Sequence, residues 1–275
     1  MAFYLQALHF RHFISGTLFL GMFFFMSQLS HTQLALPIDH VAILMAMQGE
    51  AQAMIDHLGL ALTEGQINPK LPMRCYQGQR HNRLISLIVS GEDHRYGVDN
   101  IGSEAATLMA YEAIQQLAPG LIISAGTAGG FAEKGADIGT VYLSEKHFVY
   151  HDRHVPLPGF DASAVGLYPS AETKAIAQAL GIQTGVISTG SSLEKSDKDI
   201  HVIQQHEAVA KEMEAAAIAW VAMMLDTPVI ALKSITNLVD RDNKSEQEFL
   251  THFKTATTAL DAKLIALLDV LMRGS

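Results

Sequence analysis

The stretch "PVIALKSITNLVDRDN", from Pro228 to Asn243, decides how this sequence folds. It opens with the apolar run Pro228 to Leu232, which has the length and character of a strand buried on both faces of a parallel sheet. The pattern predicts that this strand stops at the polar pair Thr236 and Asn237. Ligands of open α/β sheets sit outside the carboxyl ends of strands. Asn237 is therefore the first candidate for a ligand-binding residue.

Similar apolar runs alternate along the chain with segments of helical periodicity. The predicted strands are "HVAILMAM", "RLISLIVSG", "GLIISAGTAGG", "TVYLSEKHFVYHD" and "IQTGVISTGSS". The predicted helices are "QGEAQAMIDHLGL", "VDNIGSEAATLMAYEAIQQL", "PSAETKAIAQAL" with Ser170 as its cap, and "HEAVAKEMEAAAIAWVAMML", whose first part also fits a strand. A C-terminal helix starts with a capping box from Ser245 to Glu248 and has apolar residues at helical spacing from Phe249 to Leu271. This alternation predicts an α/β fold with a central sheet.

Composition restricts the classes of function. The chain has 275 residues, of which 49% are hydrophobic, and this suits one α/β domain with a sizeable core. The net charge of -9 and the absence of a basic stripe argue against a nucleic-acid partner. Cys75 is the only cysteine, so no disulfide framework exists. The histidines of "HFVYHDRH" lie in a β-rich context without an H-E-x-x-H pattern, and we expect no metal.

The N-terminal segment is set apart by its composition. The stretch from His12 to Pro37 carries no Lys, Arg, Asp or Glu. Its apolar part, Phe13 to Met26, has the length of a signal-peptide core and is short for a membrane span. Two alternatives stay open: a periplasmic or membrane-anchored protein that uses this segment, or a cytoplasmic protein that starts near Met26. We predict a hydrophobic segment over 1–36, the only part that would contact a membrane, and a folded domain over 37–275.

Three short motifs carry candidate site residues. The glycines of "SAGTAGG" follow a predicted strand and favour a tight turn over a binding site. Glu212 and Glu214 of "KEMEAAAIAW" lie among apolar residues, where a buried carboxylate would need partners. Their alternative is a solvated helix start, where acidic residues suit the helix dipole. Glu50, which follows the first predicted strand, has the same two interpretations.

Taken together, six motifs resemble one family. They are "AILMAMQGEA", "ISAGTAGGF", "HDRHVPLP", "ISTGSSL", "KEMEAAAIAWV" and "ITNLVDRD". Their order is similar to that of the 5'-methylthioadenosine/S-adenosylhomocysteine nucleosidases, in particular the plant-type branch, within the purine nucleoside phosphorylase superfamily. The resemblance runs from about His40 to the C-terminal helix. It implies a three-layer α/β/α sandwich with a mixed central sheet, a homodimer, no cofactor, and hydrolysis of a small purine nucleoside to release adenine, as in methionine salvage and nucleoside catabolism.

The resemblance also implies roles for individual residues. Glu50 would deprotonate the attacking water, and Glu214 would bind the ribose hydroxyls, with Met213 packed on the sugar. Position 237 would face N7 of the departing base. The other substrate-binding positions that the match implies are Ala46, Thr127, Gly129, Ser192, Leu193 on the adenine, Glu212, and His151 near the 5'-thio pocket of the same or the neighbouring subunit. The lack of Arg in "MAMQGEAQAM" fits water rather than phosphate as the nucleophile.

Two residues depart from the family pattern. The nucleosidases have an Asp at the position of Asn237, and that Asp donates a proton to N7, which an amide cannot do. Ser191 stands where "STGDS" is common. Three outcomes follow: weakened release of adenine or protonation by another group, a preference for 6-oxopurine nucleosides, or nucleoside binding without catalysis. An engineered Asp-to-Asn substitution is also compatible with the sequence.

Overall fold

A computed structural model describes residues 32–241 and 245–273 of this chain. Most of the predicted N-terminal segment therefore lies outside the described residues, and its boundary at residue 36 stays a prediction. Within the described part, the backbone carbonyl of Thr32 accepts a hydrogen bond from the Glu172 amide at 3.1 Å. Leu34 packs against the core. No helix of the described ranges is both long and apolar enough to cross a membrane.

The centre of the fold is a ten-stranded mixed sheet. Its strands are β1 (His40–Met45), β2 (Ala61–Thr63), β3 (Arg74–Arg80), β4 (Arg83–Val89), β7 (Leu121–Gly130), β8 (Val141–Tyr150), β9 (Tyr168–Pro169), β10 (Gln183–Thr189), β11 (Ala210–Glu212) and β12 (Val229–Leu238). Their order is β11-β10-β8-β12-β7-β1-β4-β3-β2, with β9 paired to β8. Two further strands, β5 (Glu92–Asp93) and β6 (Val98–Asp99), form a separate hairpin.

Helices cover both faces of this sheet. They are α1 (Gln48–Leu58), α2 (Ser103–Leu117), α3 (Phe160–Val165), α4 (Lys174–Leu180), α5 (Asp197–Gln205), α6 (Ala215–Met224) and α7 (Ser245–Met272), with one 3-10 turn at Ala132–Lys134. Alternate residues of β1 face opposite layers, as the pleat requires. Leu44 packs with α2 and α6, whereas Ile43 packs with α1, α4 and α7. The predicted three-layer α/β/α sandwich with a mixed sheet is confirmed.

Five strands of this sheet close into a ring. β11 pairs in parallel with β10 and antiparallel with β7, so the path β7-β12-β8-β10-β11 returns to its start. Lys211 of β11 lies opposite Gly129 of β7. This closure brings the "KEMEA" motif, which is far away in sequence, next to "SAGTAGG".

Two local predictions were wrong. "SAGTAGG" is not a turn, because β7 continues to Gly130. Its glycines serve close packing: a Cβ on Gly129 would lie 2.5 Å from Val239 Cγ2, and one on Gly130 would lie 2.8 Å from Ala136 Cβ. The predicted end of β12 at the polar pair agrees with the structure to within one residue, since β12 includes Thr236 and Asn237 and ends at Leu238.

The second wrong prediction concerns Ser170. It does not cap a helix, because α4 begins at Lys174, four residues later. Ser170 is buried instead, and its Oγ lies 2.8 Å from Ser144 Oγ. The two hydroxyls satisfy each other where a strand and a loop meet inside the core. The first part of "HEAVAKEMEAAAIAWVAMML", which the sequence left open between helix and strand, contains the strand β11.

We predict that Gly91→Ala destabilises the fold far more than Gly135→Ala. Both glycines have a left-handed φ, of +78° and +82° respectively, so a side chain at either costs about 1 kcal/mol. A Cβ on Gly91 would also lie 1.9 Å from the Pro72 carbonyl oxygen, whereas nothing lies within 4 Å of one on Gly135. Denaturant unfolding should give a loss of at least about 3 kcal/mol for the first variant. Equal losses would show that the Pro72 contact is relaxed at no cost.

Candidate active site

A cavity of about 870 Å³ opens at the carboxyl ends of β1, β7 and β12, which is where ligands bind in sheets of this class. It is the size of a small-molecule site. All but two of the residues that the sequence singled out line it. They are Ala46, Glu50, Thr127, Gly129, Leu193, Glu212, Met213, Glu214 and Asn237.

The two exceptions are His151 and Ser192. His151 is buried under the loop that follows β10, where a Cβ on Gly190 would lie 2.3 Å from its Nε2. Burial, aided by the charge of Lys211, lowers the pKa of His151 to about 4, so this imidazole is neutral. Ser192 is exposed, and it takes part through its backbone carbonyl. Neither side chain reaches the cavity of its own chain.

Glu50 is fixed by the strand that faces it. It lies in the first turn of α1, and one carboxylate oxygen accepts hydrogen bonds from the Thr127 amide at 2.8 Å and the Thr127 hydroxyl at 2.6 Å. Burial raises the pKa of Glu50, and the bonds from Thr127 oppose that rise. A carboxylate held in this way can accept a proton from a bound water without reorienting.

Lys233 and Glu212 form a buried ion pair under the cavity. The Lys233 ammonium lies 2.9 Å from Glu212, and both side chains are almost completely buried. Glu212 also accepts hydrogen bonds from the Ala215 and Glu214 amides, at 2.9 and 3.1 Å, and thereby caps the start of α6. Burial lowers the pKa of Lys233, but the neighbouring carboxylates raise it above its ordinary value. The lysine therefore stays charged.

Glu214 is a buried carboxylate that holds a proton near neutral pH. Burial first, and repulsion by Glu212 second, raise its pKa to about 7, although Lys233 opposes this. Its carboxylate accepts a hydrogen bond from the Gly102 amide at 2.9 Å. One buried cation thus faces three buried carboxylates, Glu50, Glu212 and Glu214. The cluster can hold a proton near neutral pH and release it when a ligand donates hydroxyl groups instead.

Asn237 stands at the side of the cavity beside β7. The Thr236 hydroxyl lies 3.0 Å from Asn237 Oδ1 and 3.2 Å from the Ala128 carbonyl oxygen, and its single proton serves one of them at a time. A Cβ on Gly129 would lie 3.1 Å from Asn237 Nδ2. Glycine at this position therefore leaves room for the amide. An amide offers a donor and an acceptor to a base, but it has no acidic proton to transfer.

The loop after β10 forms one wall of the cavity and is tied down at several points. The Lys211 ammonium donates to the carbonyls of Ser192 at 2.6 Å and Leu193 at 3.0 Å. The Ser191 amide donates to Asp152 at 2.7 Å, and the Ser191 hydroxyl lies 2.6 Å from that of Ser103. Ser191, which departs from the family pattern, thus binds α2 rather than Asn237. The loop is held without an acidic side chain at this position.

The sequence interpretation missed both lysines. Lys233 stands inside the apolar run "VIALKSI", and a lysine is almost never fully buried unless it is paired. That rule could have indicated an acidic partner. Lys211 had no such signal, because its role depends on the loop that folds over it. Across residues 32–241 and 245–273, no three His, Cys, Asp or Glu side chains converge in a way that could hold a metal ion.

Comparison with known proteins agrees with this geometry. Residues 40–269 match the profile of the Phosphorylase superfamily. The chain is 38% identical to 5'-methylthioadenosine nucleosidase of Arabidopsis thaliana over 84% of its length and 87% of the relative's. It is 35% identical to a 5'-methylthioadenosine/S-adenosylhomocysteine nucleosidase of the same plant, over 85% and 92%. The apo structure of the Arabidopsis 5'-methylthioadenosine nucleosidase superposes with a TM-score of 0.84 at 37% identity, covering 87% of this chain and 98% of that one.

We predict that Glu214→Gln removes a pH-dependent loss of stability. The pKa of Glu214 in the folded protein, about 7, lies above its ordinary value of 4.5. An acid whose pKa is higher in the folded than in the unfolded protein stabilises the folded state below pH 4.5. This contribution is lost as the pH rises through 7. The melting temperature of the variant minus that of the wild type should therefore increase between pH 5 and pH 8. The exposed Glu64→Gln is the control, and a flat difference for Glu214→Gln would contradict the shift.

Proposed function

The chain belongs to the phosphorylase superfamily and, within it, to the 5'-methylthioadenosine nucleosidases, and we propose that it hydrolyses the N-glycosidic bond of 5'-methylthioadenosine or S-adenosylhomocysteine to release adenine. The observation that carries this proposal is the meeting of Glu50, Glu214 and position 237 in one cavity. These residues lie far apart in sequence. Their side chains correspond to the water, the ribose and the base of such a substrate.

The proposed chemistry depends on negative charge around the sugar. As the base departs, the ribosyl group acquires positive charge, so buried carboxylates stabilise the transition state more than the ground state. Glu50 would take the proton of the attacking water while its other contacts hold it in place. Glu214 would accept the ribose hydroxyls, with Met213 against the sugar. Lys233 keeps the cluster from being so negative that the carboxylates all become protonated.

Asn237 limits the departure of the base. Adenine presents N7 as an acceptor and its exocyclic amine as a donor, and an Asn amide can pair with both. The adenine of the intact nucleoside can therefore make both hydrogen bonds to the Asn237 side chain. The leaving adenine gains no proton from the amide, however, and a missing general acid typically costs about 10²–10⁴ in rate. We expect tight binding with slow hydrolysis.

The 6-oxopurine alternative is less well supported by the same geometry. A neutral 6-oxopurine presents two acceptors, N7 and O6, on the edge that would face Asn237. The amide could satisfy one with Nδ2, while Oδ1 would face the other. Adenine pairs with both atoms of the amide, so we favour it as the base. Binding without any turnover stays the second alternative, and it shares the adenine site.

We further propose that the protein acts as a homodimer. Exposed apolar side chains lie together on the α2 and α6 side of the sheet, namely Leu108, Tyr111, Trp220 and Met223, and the last two line a groove with Val155 and Phe160. A second copy is the occupant that the family resemblance implies, and covering this face would remove apolar surface from water.

We predict that the wild type sediments at twice the mass of the chain and that Met223→Glu shifts it toward the monomer, since a buried interface disfavours an unpaired charge. Leu250→Glu, which alters an exposed side chain of α7 on the opposite layer, is the matched control. A wild type that remains monomeric at micromolar concentration in analytical ultracentrifugation would contradict the proposal.

We predict that Asn237→Asp increases the turnover of 5'-methylthioadenosine about 10²–10⁴-fold, because it restores a general acid beside N7. Free adenine is quantified by chromatography in single-turnover and steady-state assays. Asn82→Asp, at an exposed turn, controls for the change of charge.

An unchanged rate would show that the missing acid does not limit the reaction. If neither protein releases adenine although both bind the nucleoside, the chain is a binding protein on a nucleosidase fold. The same assay is run with inosine, a 6-oxopurine nucleoside. If the wild type releases hypoxanthine from inosine but no adenine from 5'-methylthioadenosine, the preference for adenine is wrong.

A further inference from the structure

Lys211 is a buried cation of the cavity to which the proposed reaction assigns no role. It lies on β11, is 5% exposed and lines the inner part of the cavity, whereas the outer end is formed by Arg74 and the β5–β6 hairpin. We propose that the Lys211 ammonium stabilises the negative charge that the purine acquires when it leaves without a proton from Asn237. The inference rests on the proposed function, because it concerns the departure of the same base.

The ring of strands sets Lys211 and Asn237 on either side of one glycine. Lys211 is the neighbour of Gly129 in the antiparallel pair β11–β7, and Asn237 is its neighbour in the parallel pair β12–β7. Residues directly opposite one another point to the same face of a sheet, and a Cβ on Gly129 would lie 3.1 Å from Asn237 Nδ2. A base over Gly129 therefore has the amide on one side and the lysine on the other, with backbones roughly 10 Å apart across two strand spacings.

The Lys211 ammonium is held by neutral groups. It donates to the carbonyls of Ser192 at 2.6 Å and Leu193 at 3.0 Å, and it forms no ion pair within residues 32–241 and 245–273. An ammonium has three N–H donors, so one is left for a further acceptor. Burial lowers the pKa of Lys211, and carboxylates at longer range oppose that fall. An anion that forms in the cavity therefore meets a charge that no carboxylate neutralises at close range.

Four carboxylates whose charges reach Lys211 serve other partners. They are Asp199, which faces His154 and caps α5, Glu212, which pairs with Lys233, Asp152, which accepts from the Ser191 amide, and the exposed Glu194. They favour the charged form of Lys211 without forming an ion pair with it. The site thus keeps a cation near the base, and the reaction does not have to break an ion pair to use it.

In the proposed step the base departs as an anion. The C1'–N9 bond breaks and its electron pair stays on the purine, while the water oxygen bonds to C1' and a water proton passes to Glu50. The purine anion then takes a proton from solvent, to which Glu50 returns its own. Because the base of the bound nucleoside is neutral, a fixed cation beside it lowers the barrier more than it strengthens binding.

Turnover of 5'-methylthioadenosine in two backgrounds tests this role. Lys211→Gln is neutral but keeps an N–H donor for the loop, and it is made in the wild type and in Asn237→Asp, where a carboxyl group protonates the base. We expect about tenfold slower release of adenine in the wild-type background, less than the 10²–10³ that the loss of a direct oxyanion donor costs. In Asn237→Asp the loss should stay below about threefold, because a protonated base leaves without negative charge.

Binding and charge-keeping variants separate the cation from the support of the loop. Affinity for 5'-methylthioadenosine, measured by calorimetry, should change less than about twofold in Lys211→Gln, since the base is neutral before the bond breaks. Lys211→Arg keeps the charge and should keep turnover within about threefold of the wild type. Lys263→Met is the matched control, because Lys263 also donates to a carbonyl, that of Leu180 at 2.9 Å, but lies outside the cavity. It should change neither turnover nor affinity.

Equal losses of turnover in the two backgrounds would overturn the proposal, because a lysine that only supports the loop does not distinguish them. Unchanged turnover in Lys211→Gln would overturn it as well, and so would a wild type that releases no adenine while Asn237→Asp does. Lys211→Met, which keeps the apolar stem, takes the place of the glutamine variant in both backgrounds if that variant does not fold. If neither background releases adenine, the proposed function itself is wrong.

Discussion

The buried pair of Lys233 and Glu212 is the constraint on which the site depends. An ammonium and a carboxylate taken out of water lose several kcal/mol of solvation each, and only close contact with further hydrogen bonds repays this. Glu212 obtains those bonds from the first amides of α6, and Lys233 comes from the middle of β12. The pair therefore joins a helix start to the central sheet. Removing Lys233 would leave three buried carboxylates without their shared counter-charge, and removing Glu212 would take from Lys233 the carboxylate that lies 2.9 Å away.

The same pair determines the protonation of the floor of the cavity. Burial raises the pKa of both Glu50 and Glu214 above the ordinary range, and Lys233, which Glu212 already contacts, opposes that rise only in part. An additional ionised carboxylate at position 237 would enter a region that is already negative, which would itself favour its protonated, acid form. Asn237 adds no charge there. Asn237 therefore leaves the charge of the cluster unchanged, and we propose that a nucleoside still binds there although the amide supplies no acidic proton.

The sequence predicted the layers of the fold well, because runs such as "HVAILMAM" are apolar on both faces and the helices between them are strongly periodic. It failed where tertiary contacts determine the backbone. "SAGTAGG" has the composition of a turn, but it forms an extended strand. Glycine is required there because Val239 and Ala136 leave no room for a Cβ. Glu50, Glu214 and Asn237 were identifiable from motif order. Lys211 and the outer end were not, because ring closure and the β5–β6 hairpin bring them to the cavity from unrelated parts of the chain.

The two ends of the cavity differ in burial and therefore in the strength of their electrostatic interactions. At the inner end the carboxylates are buried, so their interaction with a positively charged ribosyl group is strong and barely screened by salt. At the outer end Arg74 and Glu92 meet solvent, where each contact contributes little and depends on ionic strength. Chemistry therefore belongs to the buried end, which a change of 5' substituent does not alter. We therefore expect a change of charge at the exposed end to leave the buried carboxylates undisturbed.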